Sequence, residues 1–393
     1  MPATMQNFEF HNPTRVIFGV GQIASLAKHI PSNARVLMLY GGGSIKSNGT
    51  YDEVHAALAH LEHPVLEFAG IEPNPRYETL MKAVELIHRE NIDFLLAVGG
   101  GSVVDGTKFV AAAAVYDGDA WDILKIGGKV VKAALPFGAV LTLPATGSEM
   151  NSASVISRAE TQEKRAFMSP HVYPRFSVLD PAKTLTLPLR QVGNGVVDAF
   201  VHTTEQYLTY PANAPVQDRF AEGLLQTLLE LGPQVLARPD DVEVRANIMW
   251  TATMALNGLI GVGVPQDWAT HGIGHELTAL FGLDHAQTLA IALPGVLQIR
   301  REAKRGKLLQ YAERVWGLHA GKGTEDERID AAIGNTRAFF EQMGVPTRLS
   351  GYGLGAEAID ATVAAMEAAG LTGLGERRDI TPADVRKALQ LSL

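Results

Sequence analysis

The sequence contains no cysteine. Without thiols the chain has no disulfides, no thiolate nucleophile and no cysteine-ligated zinc. Any transition metal must therefore be held by nitrogen and oxygen ligands. This absence narrows the search for a metal site to the 12 histidines and 42 acidic residues of the chain.

The chain also lacks a basic surplus and a long apolar run. Its 34 lysines and arginines are outnumbered by acidic residues, and the formal net charge is −8, so neither nucleic acid nor an anionic membrane is expected as the main partner. No apolar stretch approaches the roughly 20 residues that span a bilayer. The first residues lack the basic start and apolar core of a signal peptide. We expect a cytoplasmic protein, with its densest basic cluster (residues 300–307) on a solvated helix face.

Length and apolar patterning predict two domains, at residues 1–187 and 188–393. A chain of 393 residues exceeds what one hydrophobic core organises. In the first part, helix-period segments alternate with short apolar runs; these runs lie at 34–40, 65–68, 94–102, 139–149 and 176–180. This alternation predicts an α/β domain with a mostly parallel sheet. The segment 8–19 alternates enough for an edge strand. Long helical patterns dominate the second part, which predicts an all-α domain.

Glycine and hydroxyl residues cluster where predicted strands end, the edge at which parallel sheets bind ligands. Two clusters each follow an apolar strand: Gly41, Gly42, Gly43 and Ser44, and Gly99, Gly100, Gly101 and Ser102. A backbone without Cβ atoms can bring its N–H groups close to a pyrophosphate. Neither cluster matches G-x-G-x-x-G or the P-loop, and one cluster alone is more typical of a tight turn. Two equivalent clusters favour a dinucleotide site, together with Thr142, Thr146, Ser148 and Asn151.

A carboxylate and several histidines recur at helical spacing in the second part. Asp198 and His202 are four residues apart, as are His271 and His275, so each pair projects from one helix face. His285 follows nearby in the chain. One carboxylate with several imidazoles suits Zn²⁺ or Fe²⁺ better than Mg²⁺ or Ca²⁺. A structural hydrogen-bonded pair would show the same spacing, so spacing alone leaves both interpretations open.

The chain resembles the iron-containing alcohol dehydrogenases in four segments: GGGSVVDGTKFVA (99–111), LPATGSE (143–149), DAFVHTTEQY (198–207) and HGIGHELTALFGLDH (271–285). The segments occur in the family's order and spacing. Within the family the chain looks closest to the branch of NADPH-dependent aldehyde reductases and butanol dehydrogenases. The resemblance implies an N-terminal α/β dinucleotide-binding domain and an all-α C-terminal metal-binding domain, in an architecture similar to that of dehydroquinate synthase.

The resemblance also implies roles for single residues. Asp198, His202, His271 and His285 match the metal ligands. His275 matches a histidine near the nicotinamide that would orient the substrate or relay its proton; the alternative is a histidine packed in the core. The positions that match cofactor contacts are Asn74, Gly99, Gly100, Gly101, Ser102, Asp105, Thr142, Thr146, Asn151 and Lys164. Around the last ligand many members have Pro-His-Gly, where this chain has Asp284-His285-Ala286.

The end of the strand at 34–40 bears on the choice of cofactor. NAD enzymes place an acid at such a strand end to bind the ribose 2′-hydroxyl. Here the strand is followed by glycines, Ser44 and Lys46, without an acid. Because an acid would repel a 2′-phosphate and a lysine would attract it, we expect NADP(H).

Together these features predict an enzyme, a metal-dependent and NADP(H)-dependent alcohol dehydrogenase or aldehyde reductase. Hydride would pass between the nicotinamide and a short-chain aldehyde or alcohol, with one divalent metal ion polarising the carbonyl oxygen. The ion is expected to be Zn²⁺ or Fe²⁺, with a slight preference for zinc. The resemblance further implies a homodimer. Two alternatives are a lyase similar to dehydroquinate synthase and a non-catalytic protein that binds metal and nucleotide.

Overall fold

The structure is a computed structural model that describes residues 4–393. The chain folds into two compact units. The first, called the α/β unit, consists of His11–Pro188 and Pro239–Thr253. The second, called the helical unit, consists of Leu189–Arg238 and Met254–Leu393, with the segment that ends at Phe10. The assignment of cofactor binding to residues 1–187 and of metal binding to residues 188–393 stays a prediction.

Parallel strands organise the α/β unit. The strands of residues 4–393 are β1 (Arg15–Phe18), β2 (Val36–Tyr40), β3 (Leu66–Phe68), β4 (Phe94–Gly100), β5 (Phe137–Leu143), β6 (Ala153–Arg158), β7 (Glu163–Met168) and β8 (Phe176–Leu179). Within this described chain, six strands form one parallel sheet in the order β1-β8-β5-β4-β2-β3. This sheet confirms the predicted fold class. Strands β6 and β7 form a separate antiparallel hairpin that the sequence patterns did not predict.

Both faces of the parallel sheet are buried. Successive side chains of a strand point to opposite faces, so they pack alternately on the two sides of the sheet. Leu37 and Leu39 of β2 pack on one face with Leu95 of β4. Met38 and Leu96 pack on the other face, in a separate apolar cluster. This double burial explains why the strands are continuous apolar runs in the sequence.

Helices of both units flank the sheet or form the helical unit, and loops connect them. They are α1 (Ser44–Ser47), α2 (Thr50–Ala57), α3 (Tyr77–Glu90), α4 (Gly101–Ala113), α5 (Asp122–Lys125), α6 (Leu189–Tyr207), α7 (Pro215–Ala237), α8 (Val242–Ala255), α9 (Ala269–Phe281), α10 (His285–Ile299), α11 (Arg305–Arg314), α12 (Glu325–Gln342), α13 (Ala356–Ala368) and α14 (Pro382–Gln390). Short 3₁₀ turns lie at Gln22–Lys28, Ser148–Met150, Pro170–Val172, Pro181–Thr184, Leu259–Gly261 and Leu349–Tyr352. Among the helices in residues 4–393, none is long and apolar enough to cross a membrane.

A glycine sets the distance between two helices of the helical unit. Gly295 lies in the middle of α10, where a Cβ atom would come within 2.2 Å of the backbone carbonyl oxygen of Ala388 in α14. Backbone atoms cannot turn aside as a flexible side chain would. The packing of α10 on α14 therefore depends on the missing side chain at this position.

We predict that Gly295→Ala destabilises the protein by roughly 1–3 kcal/mol, because the added methyl group forces the two helices apart. The matched control is Gly334→Ala in α12, where the new Cβ atom would meet no other atom within 4 Å. That control should instead stabilise by about 0.5–1 kcal/mol, since alanine loses less backbone entropy in a helix. Both values come from chemical denaturation. Equal stability of Gly295→Ala and wild type would contradict the packing argument.

Candidate metal centre and nucleotide site

Three helices of the helical unit bring four of the predicted residues together. Asp198 and His202 lie one turn apart in the middle of α6. His271 lies in the first turn of α9, and His285 is the first residue of α10. One ligand atom from each of the four side chains lies within 4.8 Å of the others. Four residues that are up to 87 positions apart in the sequence thus lie close together, and their role as metal ligands stays a prediction.

The side chains surround a common centre. The rings of His202 and His271 stack with their centroids 4.8 Å apart, and the His285 ring lies 5.1 Å from that of His271. Asp198 Oδ1 is 3.6 Å from Nε2 of His202 and 3.7 Å from Nε2 of His285. One carboxylate oxygen thus faces two imidazoles across the centre.

The donor set fits a divalent transition-metal ion. Three imidazole nitrogens and one carboxylate oxygen are typical ligands for zinc or iron. Burial lowers the pKa of His202 to about 4, so at neutral pH the ring is in the neutral form that binds metal. Its Nδ1 atom is buried and has no hydrogen-bond partner among residues 4–393.

Glu205 supports this centre and was not predicted from the sequence. Its carboxylate accepts hydrogen bonds from the backbone N–H groups of Thr270 (2.7 Å) and His271 (3.3 Å), and it also bonds Nδ1 of His271. Burial raises the pKa of Glu205, followed by the charge of Asp267, and the two amide bonds oppose this rise. A carboxylate on one imidazole nitrogen fixes the ring so that the other nitrogen can bind a metal. Its spacing in the sequence could have revealed it, because Glu205 follows His202 by three residues and therefore lies on the same face of α6.

The basic cluster at residues 300–307 does not lie wholly on a solvated helix face, as the sequence predicted, because two of its lysines are buried. Lys304 and Lys307 are buried, not solvated, with 4% and 7% of their surface exposed. Lys304 pairs with Asp267, and its ammonium group also donates to the carbonyl of Leu208 at 2.6 Å. A buried ammonium group is stable only with such partners, and here they anchor the loop that precedes α9.

The predicted catalytic histidine lies beside the centre but outside the group of four ligand atoms. His275 follows His271 by one turn of α9 and is half-buried. Its ring centroid is 6.2 Å from that of His271 and 5.7 Å from that of His285. The structure therefore places it near the candidate ligands, and its role in proton transfer stays a prediction.

Asp284, which directly precedes the candidate ligand His285, connects that histidine to α6. Its backbone N–H donates to Oε1 of Gln287 at 3.0 Å, which closes the first turn of α10. Its carboxylate accepts a hydrogen bond from Asn194 at 3.0 Å and pairs with Arg190. Both partners lie on α6, so this aspartate fixes His285 against the helix that carries Asp198.

The two predicted glycine clusters meet at one edge of the sheet in the α/β unit. Strands β2, β4 and β5 are parallel neighbours, so their carboxyl ends, with Gly41, Gly99 and Thr142, lie side by side. A Cβ atom at Gly101 would come within 2.3 Å of Thr146 Oγ1, whereas at Gly42 and Gly43 it would meet nothing within 4 Å. At position 101 the contact with Thr146 is enough to explain why the residue is glycine. At positions 42 and 43 no neighbouring atom excludes a side chain, so there is open space at the end of β2.

Three of the predicted cofactor residues lie together at this edge. The Asn74 backbone N–H donates to Ser102 Oγ at 3.3 Å. The Lys164 ammonium group donates to Asn74 Oδ1 at 2.8 Å. Asn74 adopts a positive φ of 55°, a conformation that asparagine tolerates better than most residues. The hairpin strand β7 thus brings a lysine to the start of α4, although the sequence patterns did not predict the hairpin.

Asp105 and Asn151 take part in a buried network around a residue that was not predicted. The ammonium group of Lys108 donates to Ser148 Oγ and Asn151 Oδ1, both at 2.9 Å. Asp105 accepts hydrogen bonds from Ser148 Oγ at 2.5 Å and from the Val155 N–H at 2.9 Å. Burial lowers the pKa of Lys108 to about 8 and raises that of Asp105. The network fixes the polar exit of β5 against α4.

A glutamate on a neighbouring strand lies beside the end of β2, where the sequence predicted no acid. Glu67, on the neighbouring strand β3, accepts hydrogen bonds from the hydroxyls of Tyr40 (2.7 Å) and Tyr51 (2.5 Å). His55 Nε2 lies 3.2 Å from the same carboxylate. Although burial opposes it, the two phenol bonds, His55 and Lys46 together lower the pKa of Glu67. The Lys46 ammonium group lies over the rings of both tyrosines, 5.4 and 4.7 Å from their centroids.

The chain matches known proteins along nearly its whole length. The family described as iron-containing alcohol dehydrogenase matches residues 13–181, and its C-terminal part, described as Fe-containing alcohol dehydrogenase family, C-terminal, matches residues 193–392. The chain belongs to the iron-containing alcohol dehydrogenase family. It is therefore an oxidoreductase, and the resemblance in its four motif segments is confirmed.

Individual members of the iron-containing alcohol dehydrogenase family are close relatives. The NADPH-dependent aldehyde reductase YqhD of Escherichia coli (strain K12) is 62% identical, over 96% of this chain and 97% of that protein. The probable NADH-dependent butanol dehydrogenase 1 of Bacillus subtilis (strain 168) is 44% identical, over 99% and 100%. The solved structure of NADH-dependent butanol dehydrogenase A from Thermotoga maritima, 37% identical, superposes with a TM-score of 0.94 and covers 99% of both chains.

For this member of the family we predict that Glu205→Gln weakens metal affinity by about 10- to 100-fold, because the amide no longer holds the His271 ring as a carboxylate does. The affinity is measured by competition with a chromogenic chelator. The matched control is Glu222→Gln, a buried glutamate that accepts a hydrogen bond from the Tyr207 hydroxyl at 2.9 Å. The control should keep wild-type metal affinity. An equal loss of metal affinity in both variants would show that removing any buried carboxylate weakens metal binding and that Glu205 has no particular role in it.

Proposed function

We propose that this protein is a metal-dependent reductase of short-chain aldehydes that uses NADPH. The observation that carries the proposal is the convergence of Asp198, His202, His271 and His285, with ligand atoms within 4.8 Å of one another, in a member of the iron-containing alcohol dehydrogenase family. Its 62% identical relative is named an NADPH-dependent aldehyde reductase. The reaction transfers hydride from the nicotinamide to the carbonyl carbon, and a proton to the oxygen.

Asp198, His202, His271 and His285 would hold the ion. When bound there, a divalent ion would supply a positive charge that polarises the carbonyl oxygen and offsets the negative charge developing on it. His202 serves as a neutral ligand because burial keeps it unprotonated. Glu205 keeps the His271 ring oriented. His275, half-buried beside two of the ligands, donates or relays the proton to the product oxygen.

We propose zinc as the preferred ion. Three nitrogens and one oxygen suit tetrahedral zinc, which can accept a further ligand from the substrate. For the same donor atoms zinc also binds more tightly than Fe²⁺ in the Irving–Williams order. The homodimer implied by the resemblance stays a proposal, which sedimentation analysis would test.

Lys46 is proposed to select NADPH by pairing with the 2′-phosphate. It is exposed near the end of β2, and the rings of Tyr40 and Tyr51 hold its ammonium group by cation–π contact. Glu67 would repel a phosphate, but its carboxylate is already bonded to the two tyrosine hydroxyls. The relatives divide between the two cofactors, since one is named NADPH-dependent and another NADH-dependent, so this selection has to come from local features of each chain.

The function is tested by NADPH oxidation with butanal, using protein reconstituted with Zn²⁺ or with Fe²⁺. Turnover is expected with either ion, and zinc is expected to remain bound longer during dialysis. His271→Ala should lose metal and turnover together, because one of the four ligands is gone. Full activity of metal-free His271→Ala would reject the mechanism. A protein that binds metal and nucleotide but oxidises no NADPH would fit a non-catalytic role.

For the cofactor, we expect Lys46→Ala to lower kcat/KM for NADPH by about tenfold, the loss of roughly one charge-assisted contact, and to leave kcat/KM for NADH unchanged. Lys82→Ala, which removes an exposed lysine of α3, is the control for general charge loss and should change neither. Parallel losses with both cofactors would place Lys46 outside the 2′-phosphate site.

A further inference from the structure

A strained tryptophan stands next to the candidate metal ligands. Trp268 directly precedes α9 and adopts φ 59° and ψ 14°, in the left-handed region. Of the non-glycine residues with positive φ in residues 4–393, it is the one aromatic side chain; the others are Asn74, Asn91, Gln162, Asn213 and Arg378. A bulky residue in this conformation is an outlier, and such strain concentrates at functional sites.

Several contacts hold the strained backbone in place. The Asp267 N–H donates to the carbonyl of Glu205 at 3.0 Å, and Asp267 Oδ1 accepts from the Ala269 N–H at 2.8 Å. Asp267 is itself paired with the buried Lys304. The indole N–H of Trp268 donates to Gln266 Oε1 at 2.9 Å. The bonds made by Asp267 do not depend on the side chain at 268, so the strained backbone does not by itself explain why tryptophan is there.

The position of the indole ring gives a reason for it. The ring contacts that of His271 edge to face, with centroids 5.2 Å apart, and that of His202 at 6.3 Å. Both histidines are buried, whereas Trp268 is half-buried. Trp268, which contacts both of these candidate ligands, is therefore more accessible to solvent than either of them.

We propose that the indole of Trp268 is the apolar wall of the substrate site, against which the carbon chain of the aldehyde packs while its carbonyl group faces the four candidate metal ligands. The inference rests on the proposed function and adds the residue that discriminates between aldehydes. A rigid wall at this distance favours a slim, unbranched chain and excludes a bulky group by overlap. It also keeps water from the reacting carbonyl, which strengthens the electrostatic interactions there.

Two variants separate the ring from the backbone. Trp268→Gly removes the ring and adopts the left-handed conformation without strain. Trp268→Phe keeps an aromatic ring but loses the indole N–H. The measured quantity is the ratio of kcat/KM for butanal to kcat/KM for benzaldehyde. We expect Trp268→Gly to shift this ratio toward benzaldehyde by at least about tenfold, the range that small volume changes in apolar pockets produce, and Trp268→Phe to shift it less. The control is Trp316→Phe, at a half-buried tryptophan after α11 whose ring lies 6.1 Å from that of Tyr311; it should leave the ratio unchanged.

Metal affinity and fluorescence provide readouts that do not depend on turnover. Metal affinity of Trp268→Gly, measured by chelator competition, should match wild type if the ring serves the substrate. Butyramide, an unreactive analogue of butanal, should quench tryptophan fluorescence in wild type and in Trp316→Phe, and this quenching should be lost in Trp268→Phe.

The proposal is overturned if the ratio in Trp268→Gly equals that of wild type, or if metal affinity falls while the ratio stays constant, since the ring would then only support the ligands. Quenching that persists in Trp268→Phe would also overturn it. If none of the aldehydes supports NADPH oxidation by the wild-type protein, the proposed function fails. The quenching by butyramide then decides on its own whether Trp268 lies in a binding site for such compounds.

Discussion

The candidate metal centre depends on one carboxylate, that of Glu205. It accepts two backbone N–H groups at the start of α9 and the ring nitrogen of His271, while its own helix carries Asp198 and His202. This connection helps to set the distance between the two candidate ligands on α6 and the third on α9. The site is thus held by a bond to the start of a helix, where N–H groups are free to donate, and not only by apolar packing.

The α/β unit relies on a comparable arrangement. Lys108 lies in the middle of α4 and has no accessible surface. Its ammonium group donates hydrogen bonds to Ser148, to Asn151 and to the backbone carbonyl of Ala153. A buried ammonium group with three acceptors fixes the loop after β5 far more narrowly than apolar contacts would, because each bond has a direction. In both units the loops near the functional positions are anchored by buried charges, and the apolar core supplies the surrounding rigidity.

The sequence was informative wherever the information is local. The apolar runs predicted β2, β4 and β5, and the motif segments matched the four residues that the fold brings together. The missed residues are of another kind: Glu205, Glu67 and Lys304 each act through partners distant in the chain. No periodicity reveals that Lys304 pairs with Asp267 across 37 residues, or that an acid on β3 faces the end of β2. The hairpin β6–β7 was missed because neither strand is a continuous apolar run: β6 contains two serines, and β7 begins with three consecutive charged residues.

The four candidate ligands differ in their access to solvent. The side chains of Asp198 and His202 are each 4% exposed, and that of His271 is 11% exposed, but that of His285 is 23% exposed. His285 is also the one ligand at the very start of its helix, held through Asp284 to Arg190 and Asn194. An ion that enters from solvent would therefore reach this histidine before the three more deeply buried side chains. The short connection before α10, which positions His285, would then bear on the rate of metal exchange, and the buried side chains on the tightness of binding.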